Sequence, residues 1–169
     1  GKRDISLIAK PPSKRLAIKT FVNESSKQIM REAIYREILR GGQIYFIHND
    51  VATHEATKQK LQEIAPQAKI AIAHGQMGER KLEQIMSDFY HHKYNILLCT
   101  TIVESGIDIP SANTIIINNA HFFGLSDLHQ MRGRVGRSNK KAFCYLITPP
   151  SHMLSSDAKK RLNTIKPPV

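Results

Sequence analysis

The stretch Ile96-Leu-Leu-Cys-Thr-Thr-Ile-Val-Glu-Ser-Gly-Ile-Asp-Ile-Pro110 joins a short apolar run to a loop rich in hydroxyl and acidic groups. The run from Ile96 to Cys99 has no charged side chain, which is typical of a strand buried on both faces of a parallel sheet. The loop after such a strand lies at its carboxyl end, where open α/β sheets bind their ligands. This segment therefore predicts an α/β fold with a functional loop at one sheet edge.

Strand-like and helical segments alternate along the rest of the chain. Strands are predicted at 17–22, 44–47, 70–73, 96–99, 114–117 and 142–147. Helices are predicted from Ser25 or Ser26 to the Gly41-Gly42 pair, then at 52–64, 79–90 and 126–132, and from Ser155 or Ser156 to about Ile165. This alternation indicates a three-layer α/β/α domain with a mainly parallel sheet. Loops 48–54, 74–79, 100–112 and 118–125 then share one edge.

The composition is that of an ordinary globular domain with a strong positive charge. Hydrophobic residues make up 41% of the 169 residues, and the formal net charge is +11. This charge favours polyanionic partners without saying which one. No apolar run approaches the ~20 residues of a membrane helix, and no signal-peptide pattern is present, so we expect a cytoplasmic protein with no membrane contact. Cys99 and Cys144 fall in apolar runs and are expected to be buried thiols.

The segment Gln130-Met-Arg-Gly-Arg-Val-Gly-Arg137 is the strongest chemical signal. Guanidinium groups are permanently charged and bind phosphate oxygens in a forked geometry. Arg134 and Arg137 are three residues apart, so a helical turn or tight loop would aim both at one polyphosphate. Gln130, one turn earlier, is placed to donate to a phosphate. A basic nucleic-acid-binding loop is the alternative reading.

The loop after the strand at 96–99 supplies a second set of candidates. Thr100 and Thr101 stand at the carboxyl end of that strand, where hydroxyls meet phosphates. Gly106 permits a tight turn, and Asp108 lies between two isoleucines. A carboxylate in such surroundings needs a partner, because burying it alone is costly. That partner is either a ribose hydroxyl or one of the arginines at 134 and 137, unless Asp108 only caps the next element.

Two weaker segments follow the strands at 44–47 and 70–73. They are Phe46-Ile-His-Asn-Asp50 and His74-Gly-Gln-Met77. Asn49 is a candidate nucleic-acid contact or a simple helix cap. His74, Gly75 and Gln76 are candidates for the same nucleic-acid surface.

The chain lacks the other parts of a phosphoryl-transfer site. It contains no G-x-x-x-x-G-K-[ST] phosphate loop and no acidic pair for Mg²⁺. No metal-ligand spacing is present either. Phosphoryl transfer needs a phosphate cradle, a metal and a charge-stabilising group. Only the last of these is predicted here.

Taken in order, the four segments resemble the motifs of the C-terminal RecA-like lobe of superfamily-2 helicases. Residues 46–50 are similar to motif IV, 73–77 to motif IVa, 100–110 to motif V and 130–137 to motif VI. The resemblance covers about Ala9 to Ile165. It implies a P-loop NTPase-like second lobe that has no Walker A motif of its own.

Within superfamily 2, the chain looks closest to the transcription-repair coupling factors, with RecG-type branch-migration helicases next. Residues 8–22, 74–89, 112–137 and 157–165 carry this likeness. The resemblance implies that Arg134 and Arg137 reach the γ-phosphate and that Gln130, Gly106 and Asp108 lie near the nucleotide. It implies that Thr100, Thr101, Asn49 and His74 to Gln76 face DNA. Asn118 and Asn119 depart from the acidic pattern expected after their strand.

The resemblance also sets expectations for ligands and partners. ATP would bind with Mg²⁺ held by an absent first RecA-like lobe of the same parent chain, and the track would be double-stranded DNA. Through the parent, RNA polymerase and excision-repair proteins are the expected partners. Residues 1–15 are expected to form a basic linker, 16–153 the lobe, and 154–169 the start of a truncated translocation hairpin. As an excised part, the chain is expected to be inactive alone. The alternatives are a RecG-type lobe, an RNA helicase lobe and a non-catalytic nucleic-acid-binding module.

Overall fold

A computed structural model describes residues 18–101 and 108–166 of the chain. The strands in these ranges are β1 (Ile18–Glu24), β2 (Gln43–Ile47), β3 (Ile70–Ala73), β4 (Ile96–Cys99), β5 (Ala112–Ile117) and β6 (Ala142–Thr148). The α-helices are α1 (Lys27–Leu39), α2 (His54–Ile64), α3 (Glu79–Tyr90), α4 (Leu125–Arg132) and α5 (Ser156–Ile165). The predicted linker at 1–15 and Gly106 lie outside the described residues.

The six strands form one sheet in the order β1-β6-β5-β2-β4-β3, and every pairing is parallel. This confirms the predicted α/β class. Strand β2 pairs with both β4 and β5, so Ile47 at its end lies beside Cys99 and Ile117. All residues of β2, β4, β5 and β6 are buried, which explains why apolar side chains predominate in these strands.

Helices pack on both faces of the sheet, so the sheet is the middle of three layers. On one face, α1 and α2 pack Ile34 and Leu61 against the strands. On the other, α3, α4 and α5 contribute Phe89, Leu128 and Leu162. Burial of each such side chain stabilises the fold by roughly 1.5–3 kcal/mol. The two apolar clusters fix the helices and thereby fix the loops that connect them to the carboxyl ends of the strands.

Several predicted boundaries shift by one or two residues. The Oγ atoms of Ser26 and Ser155 accept from Ile29 N and Ala158 N, so these two serines cap α1 and α5. Helix α2 begins at His54 and not at position 52, because 51–53 forms a 3-10 turn. Helix α4 and strand β5 each begin earlier than predicted, at Leu125 and Ala112.

Helix α5, the first helix of the predicted hairpin, is anchored on the rest of the lobe. Leu162 and Ile165 are buried in the same apolar cluster as α3 and α4. Arg132 Nη1 donates to Ile165 O over 2.7 Å, which ties the end of α5 to the end of α4. None of the helices within residues 18–101 and 108–166 is both long and apolar enough to cross a lipid bilayer.

Candidate functional site

The loops predicted to share an edge follow strands whose carboxyl ends lie side by side. His48 N donates to Cys99 O over 2.8 Å, which joins the ends of β2 and β4. Asn118 N donates to Ile47 O over 2.8 Å, which joins the ends of β2 and β5. The residues that follow these three strands therefore meet at the centre of the carboxyl edge.

A cavity of about 420 Å³ opens at this edge. Its size is within the range of small-molecule sites. It collects side chains that are far apart in the sequence and that belong to three of the predicted motifs. Its lining residues are Asn49, Thr101, Phe122, Phe123, Asp127, Gln130, Met131 and Arg134. The structure thus brings together two predicted nucleotide-site residues and two predicted nucleic-acid contacts.

The three arginines of the 130–137 segment have different surroundings. Arg132 Nη1 donates to Ile165 O (2.7 Å) and to Thr20 Oγ1 (3.3 Å), so this side chain holds α4 against α5 and β1. Arg134 instead lines the cavity. The chain then turns at Gly136, whose φ of 78° is in the left-handed region that favours glycine. Of the three, Arg132 is structural and Arg134 faces the site.

Arg137 lies beside Asp108, as one of the alternatives for that carboxylate predicted. Arg137 Nη1 is 3.5 Å from Asp108 Oδ1, and the two side chains are 50% and 66% exposed. Exposed ion pairs contribute only ~0–1 kcal/mol, because water competes for both charges. The pair orients the guanidinium group and leaves it able to bind an anion.

The hydroxyl of Tyr45 lies beneath the site and is influenced by the charged groups there. Tyr45 is buried in β2 and packs against Phe89 with ring centroids 5.8 Å apart. Burial raises the pKa of its hydroxyl; the charge of Asp108 raises it further, and the charges of Arg134 and Arg137 lower it. One buried ring therefore lies within electrostatic reach of all three charged groups.

The remaining predicted nucleic-acid contacts follow β2, β3 and β4. Thr100 is half-buried directly after β4, and Thr101, Asn49, Gly75 and Gln76 are exposed. Gln76 N donates to His74 Nδ1 over 3.3 Å, which shapes the turn after β3. The His74 segment is separated from the cavity by β4, so the structure places it on the same edge but not in the same cavity.

Sequence reasoning missed four lining residues of the cavity: Phe122 and Phe123 in the loop after β5, and Asp127 and Met131 on α4. Phe122 is 74% exposed, an unusual state for a phenylalanine, and Asp127 is exposed in the cavity wall. The loop 118–125 was assigned to the functional edge, but no residue within it was selected. An aromatic side chain in a polar loop was the available signal.

No metal centre or reactive thiol is found in the part of the chain that the structure describes. Within 18–101 and 108–166, no group of three or more His, Cys, Asp or Glu side chains is arranged to hold a metal ion. Cys99 and Cys144 are buried, and burial raises the pKa of each thiol to about 12. Both cysteines therefore remain protonated at neutral pH and serve as core residues.

An all-parallel α/β lobe with Arg134 and Gln130 lining a cavity at its carboxyl edge fits the architecture of a helicase motor lobe. The profile of the helicase conserved C-terminal domain matches residues 25–139, and the chain belongs to this family. It is a C-terminal, RecA-like helicase lobe. It is 57% identical over 98% of its length to the transcription-repair-coupling factor of Haemophilus influenzae, and spans 14% of that relative. For the Escherichia coli factor the identity is 56%, again over 98% of the chain and 14% of the relative.

Solved structures agree with this assignment. RecG bound to a three-way DNA junction superimposes with a TM-score of 0.76 at 30% identity, covering 89% of this chain and 20% of RecG. The C-terminal domain of the DEAD-box protein Dbp5 superimposes with a TM-score of 0.62, covering 88% of this chain and 87% of that domain. At 18% identity, the second likeness shows the fold alone.

Proposed function

We propose that this lobe is the second motor lobe of an ATP-dependent double-stranded DNA translocase that couples transcription to nucleotide-excision repair. The observation that carries the proposal is the cavity at the carboxyl edge, where Arg134 and Gln130 meet Asn49 and Thr101. The 57% identity to a transcription-repair-coupling factor supports the choice of parent protein.

The residues at this edge fit the phosphate end of a nucleotide but not its metal. Arg134 and Gln130 line the cavity, and Arg137 is half exposed and paired with Asp108. The sequence has no phosphate loop, so Mg²⁺ and the phosphate cradle belong to the first RecA-like lobe of the parent chain. ATP supplies the phosphoanhydride bond. Arg134 and Arg137 stabilise the charge that develops on the γ-phosphate, a role worth roughly 10³–10⁵ in rate.

The same edge carries the proposed DNA contacts. Thr100 and Thr101 donate hydroxyl hydrogen bonds to the phosphates of one strand, and Asn49 and the segment from His74 to Gln76 extend this track. A formal charge of +11 adds long-range attraction to the DNA backbone. Because Asn49 and Thr101 line the cavity with Arg134, closure around a nucleotide moves the DNA-facing groups together with the arginines.

The parent protein, by this proposal, displaces stalled RNA polymerase and recruits excision-repair proteins in the cytoplasm. Its similarity to RecG favours a second candidate, a branch-migration helicase lobe. The two identities, 57% and 30%, favour the first. The candidates separate on substrate: the first predicts ATP-dependent release of a stalled transcription complex, and the second predicts unwinding of a three-way junction.

The test measures ATP hydrolysis and DNA binding on the same variants of the two-lobed parent. Arg134→Ala and Arg137→Ala are each expected to lower ATP turnover by about 10³-fold or more while DNA affinity changes by less than about threefold. Arg36→Ala is the matched control, because it removes an exposed arginine from α1, on the other face of the sheet. It should leave turnover unchanged.

Two outcomes would contradict the proposal. In the first, DNA affinity falls and turnover survives, as expected for a non-catalytic nucleic-acid-binding module. In the second, the purified chain hydrolyses ATP by itself and Arg137→Ala leaves this activity intact. The proposal predicts no measurable hydrolysis by the chain alone.

A further inference from the structure

His48 occupies the junction of three strands and a helix at the carboxyl edge. Its backbone N donates to Cys99 O over 2.8 Å, and its backbone O accepts from Asp50 N over 2.9 Å. The same oxygen accepts from Nε2 of His54, at the start of α2, over 2.7 Å. The backbone of His48 thus connects the ends of β2 and β4 to α2.

The imidazole ring of His48 adds a directional connection to β5. Asn118 Nδ2 is 3.0 Å from His48 Nδ1, and because an amide nitrogen only donates, Nδ1 accepts. The ring proton must then be on Nε2, which donates to Thr53 Oγ1 over 2.7 Å. The Thr53 hydroxyl in turn donates to Asp50 O over 3.2 Å. The hydrogen bonds form a chain that requires one tautomer of neutral His48.

These hydrogen bonds hold the loop 48–54 closed around Asn49, which lines the cavity. Beyond the loop, the His54 ring lies 5.9 Å from the His48 ring and 5.7 Å from the His74 ring, measured between centroids. Gln76 N donates to that same His74 ring. The two segments proposed to face DNA are therefore connected through His48 and His54.

We propose that His48, as the neutral Nε2–H tautomer, is a positioning residue that holds Asn49 and the His74 segment in register at the carboxyl edge. It acts through Thr53, His54 and Asn118 and does not itself contact a ligand. The DNA-binding part of this inference rests on the proposed function, whereas the tautomer and the loop geometry do not.

Protonation is expected to break this arrangement. A protonated ring donates from both nitrogens, so Nδ1 no longer accepts from Asn118. The titratable groups that act on His48 are His54 and Lys60 from α2 and Asp50 from its own loop, whereas Asn118 from β5 does not titrate. Burial lowers the pKa of His48, with His54 and Lys60 acting in the same direction and Asp50 opposing. The neutral form therefore persists in the folded chain below the ordinary histidine pKa of 6.5.

The sign of the pH effect on stability follows from this lowered pKa. Above pH 6.5 both folded and unfolded chains hold a neutral His48, and the stabilisation is complete. As the pH falls below 6.5, the unfolded chain binds a proton first, and the stability contribution decreases until the folded ring is protonated too. His48→Gln removes this dependence, because a side-chain amide both donates and accepts but does not titrate in this range.

The direct test is ¹⁵N NMR of the histidine rings in the purified chain. His48 is expected to show a protonated Nε2 and an accepting Nδ1, and Asn118→Ala should shift the Nδ1 resonance. A protonated Nδ1, or an equal mixture of tautomers in the unmodified chain, would overturn the assignment. Asn118→Ala also provides a reading if the His48 variants fail to fold.

The functional test compares His48→Ala with His48→Gln at pH 7.5, using a 30-base-pair duplex and the backbone amide resonances of Asn49 and Gln76. His48→Ala is expected to shift both resonances and weaken duplex binding by about tenfold, while His48→Gln retains most of the affinity. When the pH is lowered until the NMR spectrum shows a protonated His48 ring, the unmodified chain should lose affinity and His48→Gln should not. His91→Gln, an exposed ring on the end of α3, is the control.

The outcomes distinguish the inference from the function on which its DNA part rests. If the unmodified chain binds no duplex, the proposed function fails, and the two amide resonances alone decide the positioning role. If His48→Ala folds and leaves those resonances and the affinity unchanged, the positioning role is wrong whatever the function.

Discussion

Two arginine–carboxylate pairs lie on opposite faces of the sheet and differ in almost every respect. On the face that α1 covers, Arg40 donates to both carboxylate oxygens of Glu37 over 2.7 Å, and Glu37 is only 1% exposed. On the face that α4 covers, Arg137 approaches Asp108 through one 3.5 Å contact, and both side chains are at least half exposed. The same chemical pair is thus rigid in one place and loose in the other.

The difference shows how position in the fold decides what a charge does. Glu37 also accepts from the Thr114 hydroxyl, so its charge is fully satisfied inside the protein. Water surrounds the Asp108 pair, and neither group is committed. A buried, saturated pair has no capacity for a ligand, whereas an exposed, unsaturated pair retains it. The Glu37 pair therefore supports the fold, whereas the Asp108 pair is available to the proposed function.

The largest expected effect is a difference in ATP turnover between variants of Arg137 and Arg40. Arg137→Lys in the two-lobed parent should lower ATP turnover by about 10³-fold, because an ammonium group cannot fork to two phosphate oxygens. Steady-state ATP hydrolysis measures this, and Arg40→Lys is the matched control. Equal losses of ATP turnover in both variants would show that Arg137 and Arg40 do not differ in role.

The next largest expected effect is a difference in stability between variants of Glu37 and Asp108. Glu37→Ala should lower the free energy of unfolding by roughly 3 kcal/mol, since it removes the buried partner of Arg40 and leaves the Thr114 hydroxyl without its acceptor. Urea unfolding followed by circular dichroism gives the value. A loss below about 1 kcal/mol would contradict a structural role for this pair.

A third prediction tests how tightly the Glu37–Arg40 pair is enclosed. A Cβ atom at Gly42 would overlap with Glu37 Oε2 and lie 3.0 Å from Ser111 O. Gly42→Ala should therefore cost roughly 2 kcal/mol of unfolding free energy, in the range of overpacked sites. In the Glu37→Ala background most of that cost should disappear. A cost that is additive in the double variant would locate the strain elsewhere.

The smallest effect is expected at Asp108. Asp108→Asn should change the free energy of unfolding by less than about 0.5 kcal/mol, because both members of the pair are exposed to water. The measurement is the same urea titration, at low and at high salt. A loss of more than about 1.5 kcal/mol of unfolding free energy would show that the Asp108–Arg137 pair also stabilises the fold.

The sequence predicted best where apolar runs had clear polar borders. The bounds of β3, β4 and α3 agree with the structure to the residue. It was less accurate where the chain changes from one helical form to another, as at the 3-10 turn before His54. Local periodicity does not distinguish a 3-10 turn from the first turn of an α-helix.

The candidate site was predicted residue by residue but not as an arrangement. Gln130, Arg134, Thr101 and Asn49 were all selected, and they share one cavity. Their division into nucleotide and nucleic-acid contacts stays a prediction. Phe122 was missed, because exposure of an aromatic side chain depends on how its loop packs and not on its neighbours in sequence.

By itself, the sequence determined the alternation of strands and helices, the parallel sheet and the order of the four motifs, because each of these follows from local periodicity and residue chemistry. Tertiary structure alone decided that Arg132 supports the core while Arg134 lines the cavity, and that Asn118, 70 residues away in the sequence, contacts the ring of His48. Hydrogen bonds between distant segments depend on strand order and register, and these are set by packing of the whole sheet.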